Sequence, residues 1–544
     1  MSIFGIFDSA KSAIFASQGA LNVISNNVAN INTPGYSRHE VILEVANPVQ
    51  VRGDFIGRGV QTAGIRRHYD KFLHLQIIGQ SQNFGRSFAL DQGLQNIEQV
   101  FNEARDLGLA NFMKDYFNAW NDVSNNPEGQ PERTALIQKS RTLIQTARQM
   151  ENDILDTMKF INSDIDNVIQ DVNSITSKIA VLNEKISVVE SGLAENKASY
   201  FRDQRDMLLS ELGELTEYSW YEQSDGQINI LVNGRGLVTP DGSTDLSTQL
   251  DLEGKKRIYL RDVDITSSFT NGKLGGYLSV RDDIETTPLV NLRKLMASVV
   301  KETNLLHNSG YGLDGSTGND YFSPIALDNL EKSLGGYISA SSITSISSLT
   351  LDEYDINFTS ASSYEVYNRR TNALVTSGAG FSAGDTISFD GIDVTIDGTL
   401  VADDSFLISP LRGMIENLDV AVTDNQQIAA AASDPTTVSG PGDNMNAFNI
   451  AGLSTIQMSD LSGATFEDYY EGIVTTVGIM SKAAADGLTY DDNIRFELEK
   501  KRDAVSGVSL DEEAANLIRF QRAYEAGARM MRVADELLET IINL

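Results

Sequence analysis

Cysteine is missing from all 544 residues, which removes disulfides, thiolate metal sites and cysteine nucleophiles together. The fold must therefore hold by packing, hydrogen bonds and charge. Histidine is nearly as scarce, with four in the chain. The nearest pair, His68 and His74, would point about 240° apart around a helix and makes no helical metal pair. Positive charge is short as well: 43 Lys and Arg face 75 Asp and Glu, a net charge of -32. A surface so acidic repels phosphate backbones and anionic lipids, so neither nucleic acid nor a membrane is expected as a partner. No apolar run approaches the roughly 20 residues needed to span a bilayer. The opening MSIFGIFDSAKSAIF lacks a basic region ahead of its apolar residues and a small-residue cleavage pattern after them. It does not read as a Sec signal, so the expectation is a cytoplasmic protein unless export leaves no cleaved segment.

Catalytic signatures are equally thin. There is no Walker loop, G-x-G-x-x-G, H-E-x-x-H or G-x-S-x-G. Adjacent carboxylates at Asp282-Asp283, Asp403-Asp404 and Asp491-Asp492 read as solvated faces, since adjacency does not set two carboxyls across a substrate. Leu313-Asp314-Gly315-Ser316-Thr317-Gly318-Asn319-Asp320 has oxygen donors at short spacing but not the glycine and distal glutamate of an EF-hand, so it reads as a turn. The basic residues Arg38, Arg52, Arg58, Arg66, Arg67 and Lys71, diluted by Glu40, Glu44, Asp54 and Asp70, read as a solvated or inter-subunit face. Catalytic, metal and cofactor residues are expected to be none.

What the chain has is heptad pattern at both ends. Phe7, Ala10, Ile14, Ser17, Leu21, Ile24, Val28 and Ile31 recur at alternating steps of three and four. The seam stops at Asn32-Thr33-Pro34-Gly35-Tyr36, where proline disfavours helix at Thr33 and Pro-Gly suits the centre of a type II turn. The first helix should end near Asn30. At the far end Leu517, Phe520, Tyr524, Gly527, Met531, Ala534, Leu538 and Ile541 repeat the spacing. Ser509 and Glu512 have the capping-box spacing, and Asp511 and Glu513 add negative charge at the positive end of the helix dipole, so this helix should start near Leu510. Small residues at both ends permit close approach, and Gly527 in mid-helix costs about 1 kcal/mol against alanine, which points to a tight contact there. A terminal helix of this length must bury its stripe against its counterpart or another subunit.

The interior divides by pattern. A third seam from Ile154 to Leu193 predicts a helix of roughly 60 Å, best read as intramolecular core. Strand-like Gln227–Val232 precedes the hairpin signal Asn233-Gly234. Helix returns from about Pro288 to His307, and residues 341–410, rich in Ser, Thr, Gly and Asp, predict an inserted β unit. Helical pattern resumes at about Leu411–Ala432 and again from Phe466.

Ser25-Asn26-Asn27-Val28-Ala29-Asn30-Ile31-Asn32-Thr33-Pro34-Gly35-Tyr36-Ser37-Arg38 resembles the signature shared by flagellar rod, hook and hook-associated axial proteins. The segment from Ser506, SGVSLDEEAANLIRFQRAYEAGARMMRVADELLETIINL, is similar to their C-terminal signature. Asp203-Gln204-Arg205-Asp206, Asn304, His307 and Pro441-Gly442-Asp443-Asn444 resemble the hook-associated branch at the hook–filament junction. The resemblance is weakest across residues 325–410.

That resemblance implies a non-enzymatic structural subunit, exported without a cleaved signal by the flagellar type III system and resident outside the cell at the hook–filament junction. Its implied partners are itself, the hook protein, the next junction protein and the filament, and an export chaperone at the C-terminal helix. The fold expected is multidomain α+β. Residues 1–36 with 506–544 would form a coaxial pair of terminal helices for polymerisation. Residues 37–340 with 411–505 would form an elongated, mainly helical body with coiled-coil-like helices and some β structure at 216–270. Residues 341–410 would form the β-rich outer domain. Self-assembly residues are expected to be Phe7, Ile14, Leu21, Ile24, Val28 and Ile31 on the first helix, and Leu517, Phe520, Tyr524, Met531, Leu538 and Ile541 on the last. Asn26, Asn30, Asn32, Pro34, Gly35 and Tyr36 carry the family motif. A hook or distal rod protein of the same superfamily is the alternative, and a secreted acidic glycosidase or adhesin a remote one.

Overall fold

A computed structural model of the chain describes residues 3–33, 35–51, 54–102, 108–191, 198–438 and 440–542. The expectations placed on Pro34, Arg52 and Leu193 lie outside the described residues. Helix α1 (Ile3–Ala29) ends one residue before the expected position, and the last helix, α11 (Leu510–Ile542), starts where the acidic cluster predicts. The two pack against each other. They run antiparallel: Gly527 sits against Ala10 and Ile14, while the first turn of α11 meets Arg38, just past the end of α1. After α1 the chain enters a long hairpin, His39–Val45 paired with Val60–Arg67, which folds back on α1.

The body is a stack of long helices: α2 (Lys71–Phe101), α3 (Leu109–Asn125), α4 (Gln130–Glu190) and α5 (Ser199–Leu215). It continues through α6 (Gly272–Ile284), α7 (Val290–Ser309) and, after the short α8 (Met414–Asn417) and α9 (Met445–Gly452), α10 (Phe466–Ser506). Asp70 caps α2, its carboxylate accepting from the N–H groups of Phe72 at 2.9 Å and Leu73 at 3.1 Å. Helix α4 has 61 residues, so it is about 90 Å long. Most of the seam assigned to core is core: Ile154, Ile161, Ile165, Val172, Ile175, Ile179 and Ile186 are buried, while Val189 near its end is exposed. Trp120, Tyr116, Tyr321 and Phe322 close one end of the body in an aromatic cluster with ring centroids 4.8 to 6.5 Å apart.

Two small antiparallel sheets spanning 219–264 lie along α4. Three asparagines of α4 dock them, each bonding a strand backbone in both directions. Asn183 donates to Ile228 O (2.8 Å) and accepts from Ile228 N (3.2 Å). Asn173 does the same to Leu246 at 2.9 and 2.8 Å, and Asn162 bonds Gly254 O and Lys256 N. The Asn233-Gly234 turn has φ of 49° and 74°, the left-handed pair a type I′ hairpin requires.

Three expectations need correction. The β unit starts at Asp328, not at residue 341, because Asp328–Lys332 pairs with Ser405–Ser409 and Gly336–Ile343 pairs with Ile392–Gly398. The Ser- and Gly-rich composition that marks the unit does not extend to its first strand, Asp328–Lys332. Helix does not begin near Pro288: it runs from Gly272, and Pro288 lies inside a π segment, Glu285–Leu289, where the wider turn accommodates its missing N–H. Residues 411–432 are mostly irregular. Leu411, Met414, Ile415, Leu418 and Ile428 are buried, but side chains satisfy the backbone: Arg148 donates to Leu418 O, and Arg133 to the carbonyls of Asn425 and Ile428. Apolar spacing there reflects burial rather than a helix face.

The β unit holds a five-stranded antiparallel sheet and a three-stranded one. Among the described residues, salt bridges fasten it to the body, with Arg412 3.7 Å from Asp328 the loosest. Arg369 meets Glu253 at 2.8 Å, and Lys294 of α7 meets Asp352 at 2.7 Å. Burial alone would raise both carboxyls, but the cations beside them hold Glu253 and Asp352 down at about 2.

Candidate self-assembly interface

The centre of the α1–α11 contact is made by small residues. Ala10, Ala16, Ser17, Ala20, Gly527 and Ala534 are buried, with Ile24 the one large apolar side chain among the described buried residues of the pair. A Cβ on Gly527 would lie 2.9 Å from Ile14 Cγ1 and 3.4 Å from the carbonyl of Ala10, so glycine sets the closest approach of the two backbones. Of the expected assembly residues, Phe7, Ile14, Leu21, Ile31, Leu517, Phe520, Met531 and Leu538 are half-buried. Val28 (38%), Tyr524 (40%) and Ile541 (57%) are exposed. The pair therefore uses only part of its apolar surface.

A second stripe escaped sequence reading. Ala526, Met530, Val533 and Leu537 follow a 4-3-4 spacing about a third of a turn around α11 from the seam. Met530 is 44%, Val533 52% and Leu537 43% exposed. The signal was in the spacing, beside the stronger stripe that obscured it.

The motif loop works through a residue singled out only as part of the motif. Asn27 is fully buried: its Nδ2 donates to His39 O (2.8 Å), and its Oδ1 accepts from His39 N (3.0 Å) and Tyr36 Oη (2.8 Å). It thereby ties α1 to the first strand of the hairpin. Asn30 donates to Asn26 at 2.9 and 2.6 Å and accepts from Thr33, closing the helix end. Asn32 is exposed. Tyr36 N donates to Thr33 O (3.2 Å) and Gly35 has φ 75°, the left-handed value of the third residue of a type II turn. Burial, with the negative charges of Asp203 and Glu513 nearby, pushes the Tyr36 hydroxyl up to about 12.

The early basic residues divide: Arg58, Arg66 and Lys71 are exposed, as a solvated face requires, whereas Arg38 and Arg67 are largely covered intramolecular partners, which corrects the expectation for those two. Arg38 pairs with Glu512 and lies 3.7 Å from Glu513, so Glu512 of the capping-box pattern is engaged across the termini. Arg58 pairs with Asp8, and Arg66 with Glu40. Arg67 is nearly buried between Asp203, at 2.8 Å, and Asp206. His39 Nε2 lies 3.0 Å from the second oxygen of Asp203. Arg205 donates to Gly226 O at 2.7 Å, tying α5 to the sheet beyond. The Asp203–Asp206 segment, read from sequence only as a family marker, is thus the electrostatic joint between hairpin and body.

The remaining candidates carry structure. Asp314 accepts from Ser316 N and Oγ at 3.0 and 2.6 Å, an ordinary Asx turn. Asn304 accepts from Tyr321 N and Phe322 N, and His307 accepts from Ala429 N. Burial pushes the His307 imidazole down to about 4. Among the described residues no group of three or more His, Asp or Glu is placed to hold a metal ion, and no helix is long and apolar enough to cross a membrane.

Comparison with known proteins follows the same division of the chain. Residues 94–322 match the flagellar hook-associated protein FlgK helical domain, and 329–410 the D2-like domain of flagellar hook-associated protein 1. Residues 7–36 match the flagella basal body rod protein family, and 503–544 the C-terminal family of the basal body rod FlgEFG proteins. Flagellar hook-associated protein 1 of Escherichia coli (strain K12) is 28% identical, with 99% of each chain covered. Its namesakes from Salmonella typhimurium (29%; 99% of each) and Bacillus subtilis (27%; 100% of this chain, 98% of that one) align equally fully. The structure of the flagellar hook junction protein FlgK from Burkholderia pseudomallei shares the fold, with TM-score 0.69 at 17% identity over 79% of this chain and 100% of that chain. Along its whole length the chain is thus similar to flagellar hook-associated protein 1, with models of that protein's domains matching the helical body and the β unit.

Proposed function

We propose that this protein is a structural subunit of the hook–filament junction that self-assembles through its terminal helices, after type III export without a cleaved signal. The observation that carries this reading is the pair of apolar stripes on α11. One packs on α1, and the other, through Met530, Val533 and Leu537, is open to solvent at the end of the chain. A helix apolar on two sides and covered on one calls for a second partner. Residues 1–36 with 506–544 act as the polymerisation unit, with the seam from Phe7 to Ile31 and from Leu517 to Ile541 forming its core. The body and the β unit face outward. Contacts with the hook protein, the next junction protein and the filament follow from that placement, and the open C-terminal helix is a surface for an export chaperone.

Full-length protein carrying Leu537→Asp tests the reading, because the change lies on the open stripe and leaves the α1 contact intact. The variant should be folded and exported but absent from purified hook–filament junctions, and cells should shed filament subunits from intact hooks. Normal incorporation would refute assembly through this face. Loss of hooks in a deletion strain would favour a hook or rod role instead.

A further inference from the structure

Between α1, the first turns of α11 and the strand His39–Val45 lies a cavity of about 590 Å³, walled by Ile24 and Phe520 and lined by Arg38, Glu40, Glu512, Glu513 and Arg519. Glu513 stands out in it. It is 2% exposed, and its Oε2 is buried without a hydrogen-bond partner among the described residues. Its other oxygen is 3.7 Å from Arg38, a guanidinium that also serves Glu512. Glu40 already holds Arg66 and His68. Arg38 thus answers two glutamates, while Arg519, also on the wall, lies over the Phe520 ring and pairs with neither, so among the described residues one carboxylate oxygen taken out of water has nothing to accept from. Such a group is costly unless a cation or donor arrives.

The same helix carries the donors. Arg522, Arg529 and Arg532 are exposed and form no ion pair among the described residues. Arg522 and Arg529, seven residues apart, share the face turned away from α1, with Arg532 nearly one turn on. On that face the arginines alternate with the exposed Glu525 and Glu536 without an ion pair between them among the described residues, and in a chain with a net charge of -32 their guanidinium groups are complementary to the cavity. They cannot reach it within the same copy, since the two lie at different levels of one rigid helix. We propose that the cavity is the receptor for a guanidinium from a second copy of this chain, supplied by the outward arginines of that copy's α11. Acceptor and donor occupy different patches of each subunit, so the contact is head-to-tail and propagates instead of closing a dimer. Bidentate pairing of guanidinium with the Glu513 carboxylate would fix register as well as affinity.

This inference rests on the assembly reading above and is tested so that the two can fail separately. Full-length Glu513→Gln and Glu513→Lys are expressed in cells lacking their own copy, and protein bound to isolated hooks is quantified beside Leu537→Asp. Glu513→Gln, which keeps size and hydrogen-bonding capacity, should give a folded monomer with at least ten-fold less hook-bound protein. Glu513→Lys should abolish binding, and combining it with Arg522→Glu, Arg529→Glu or Arg532→Glu should restore it for the arginine that makes the contact. Normal incorporation of Glu513→Gln, or failure of every charge exchange to restore Glu513→Lys, overturns the inference. If Leu537→Asp alone fails to incorporate, assembly through the terminal helices stands and only the cavity contact falls.

Discussion

Replacing Asn27 by alanine removes three hydrogen bonds at one point, leaving His39 N–H, His39 C=O and the Tyr36 hydroxyl without partners. Each buried orphan costs about 1 to 3 kcal/mol. These groups are partly buried and water can reach them once the side chain is cut back, so the lower end applies, about 3 kcal/mol in total. Alanine returns roughly 0.5 kcal/mol as the better helix former in α1. The net, about 2.5 kcal/mol, shifts the local opening equilibrium between α1 and the hairpin by roughly 70-fold. A readout lies within the loop itself: Arg38 precedes His39 and is largely covered, so trypsin cleaves there only from the opened state. In the regime where opening and closing outpace cleavage, the rate reports that equilibrium. Trypsin should cut Asn27→Ala after Arg38 tens of times faster than the parent, while the body and the β unit stay resistant. A rate within about three-fold of the parent would refute the assignment of Asn27 as the clamp.

Two further outcomes follow from the charge pairs. Asp203→Asn takes one anion from Arg67 and, among the described residues, the only one from His39, while Asp206 still holds Arg67. The loss should be about 2 kcal/mol, seen as faster amide exchange in His39–Val45 and Val60–Arg67 with α4 unaffected. Asp352 is held at about 2 against an ordinary 3.8, so its contribution is fully present above about pH 4 and is lost as pH falls toward 2. After allowance for solvent screening it is worth about 1 to 2 kcal/mol. The attachment of the β unit should therefore loosen between pH 4 and 2 by protease sensitivity at the 328 and 409 boundaries, and Asp352→Asn should flatten that part of the profile.

Long-period features were legible in the sequence and compensated polar features were not. The three heptad seams, the end of α1, the start of α11, the Asn233-Gly234 turn and the close approach at Gly527 all follow from local residue chemistry. The three α4 asparagines that dock the sheets sit beside the apolar seam, and nothing in their spacing, 11 and then 10 residues, distinguishes them from solvent-facing amides. Residues 411–432 misled because a buried irregular segment can show the apolar frequency of a helix when distant arginines satisfy its carbonyls. The start of the β unit was missed because Asp328–Lys332 is a polar edge strand, without the alternation that marks a half-buried one.

The joint at Asp203–Asp206 changes what the terminal helices mean. In the proposed assembly, were α1 and α11 tethered to the body by flexible chain, packing of the helix pair between subunits would leave the body and the β unit free to take any orientation. Instead Asn27 fixes α1 to the hairpin, Arg67 and His39 fix the hairpin to α5, and Arg205 fixes α5 to the sheet on α4. The ion pairs in that chain are nearly dry, so salt screens them far less than surface pairs. A rotation imposed on the helix pair is therefore carried into the body by buried, directional contacts. In the assembly proposed above, a subunit meeting one lattice on one side and another on the other would need that rigidity, because only a stiff link lets packing at the terminal helices set where the outer domains stand.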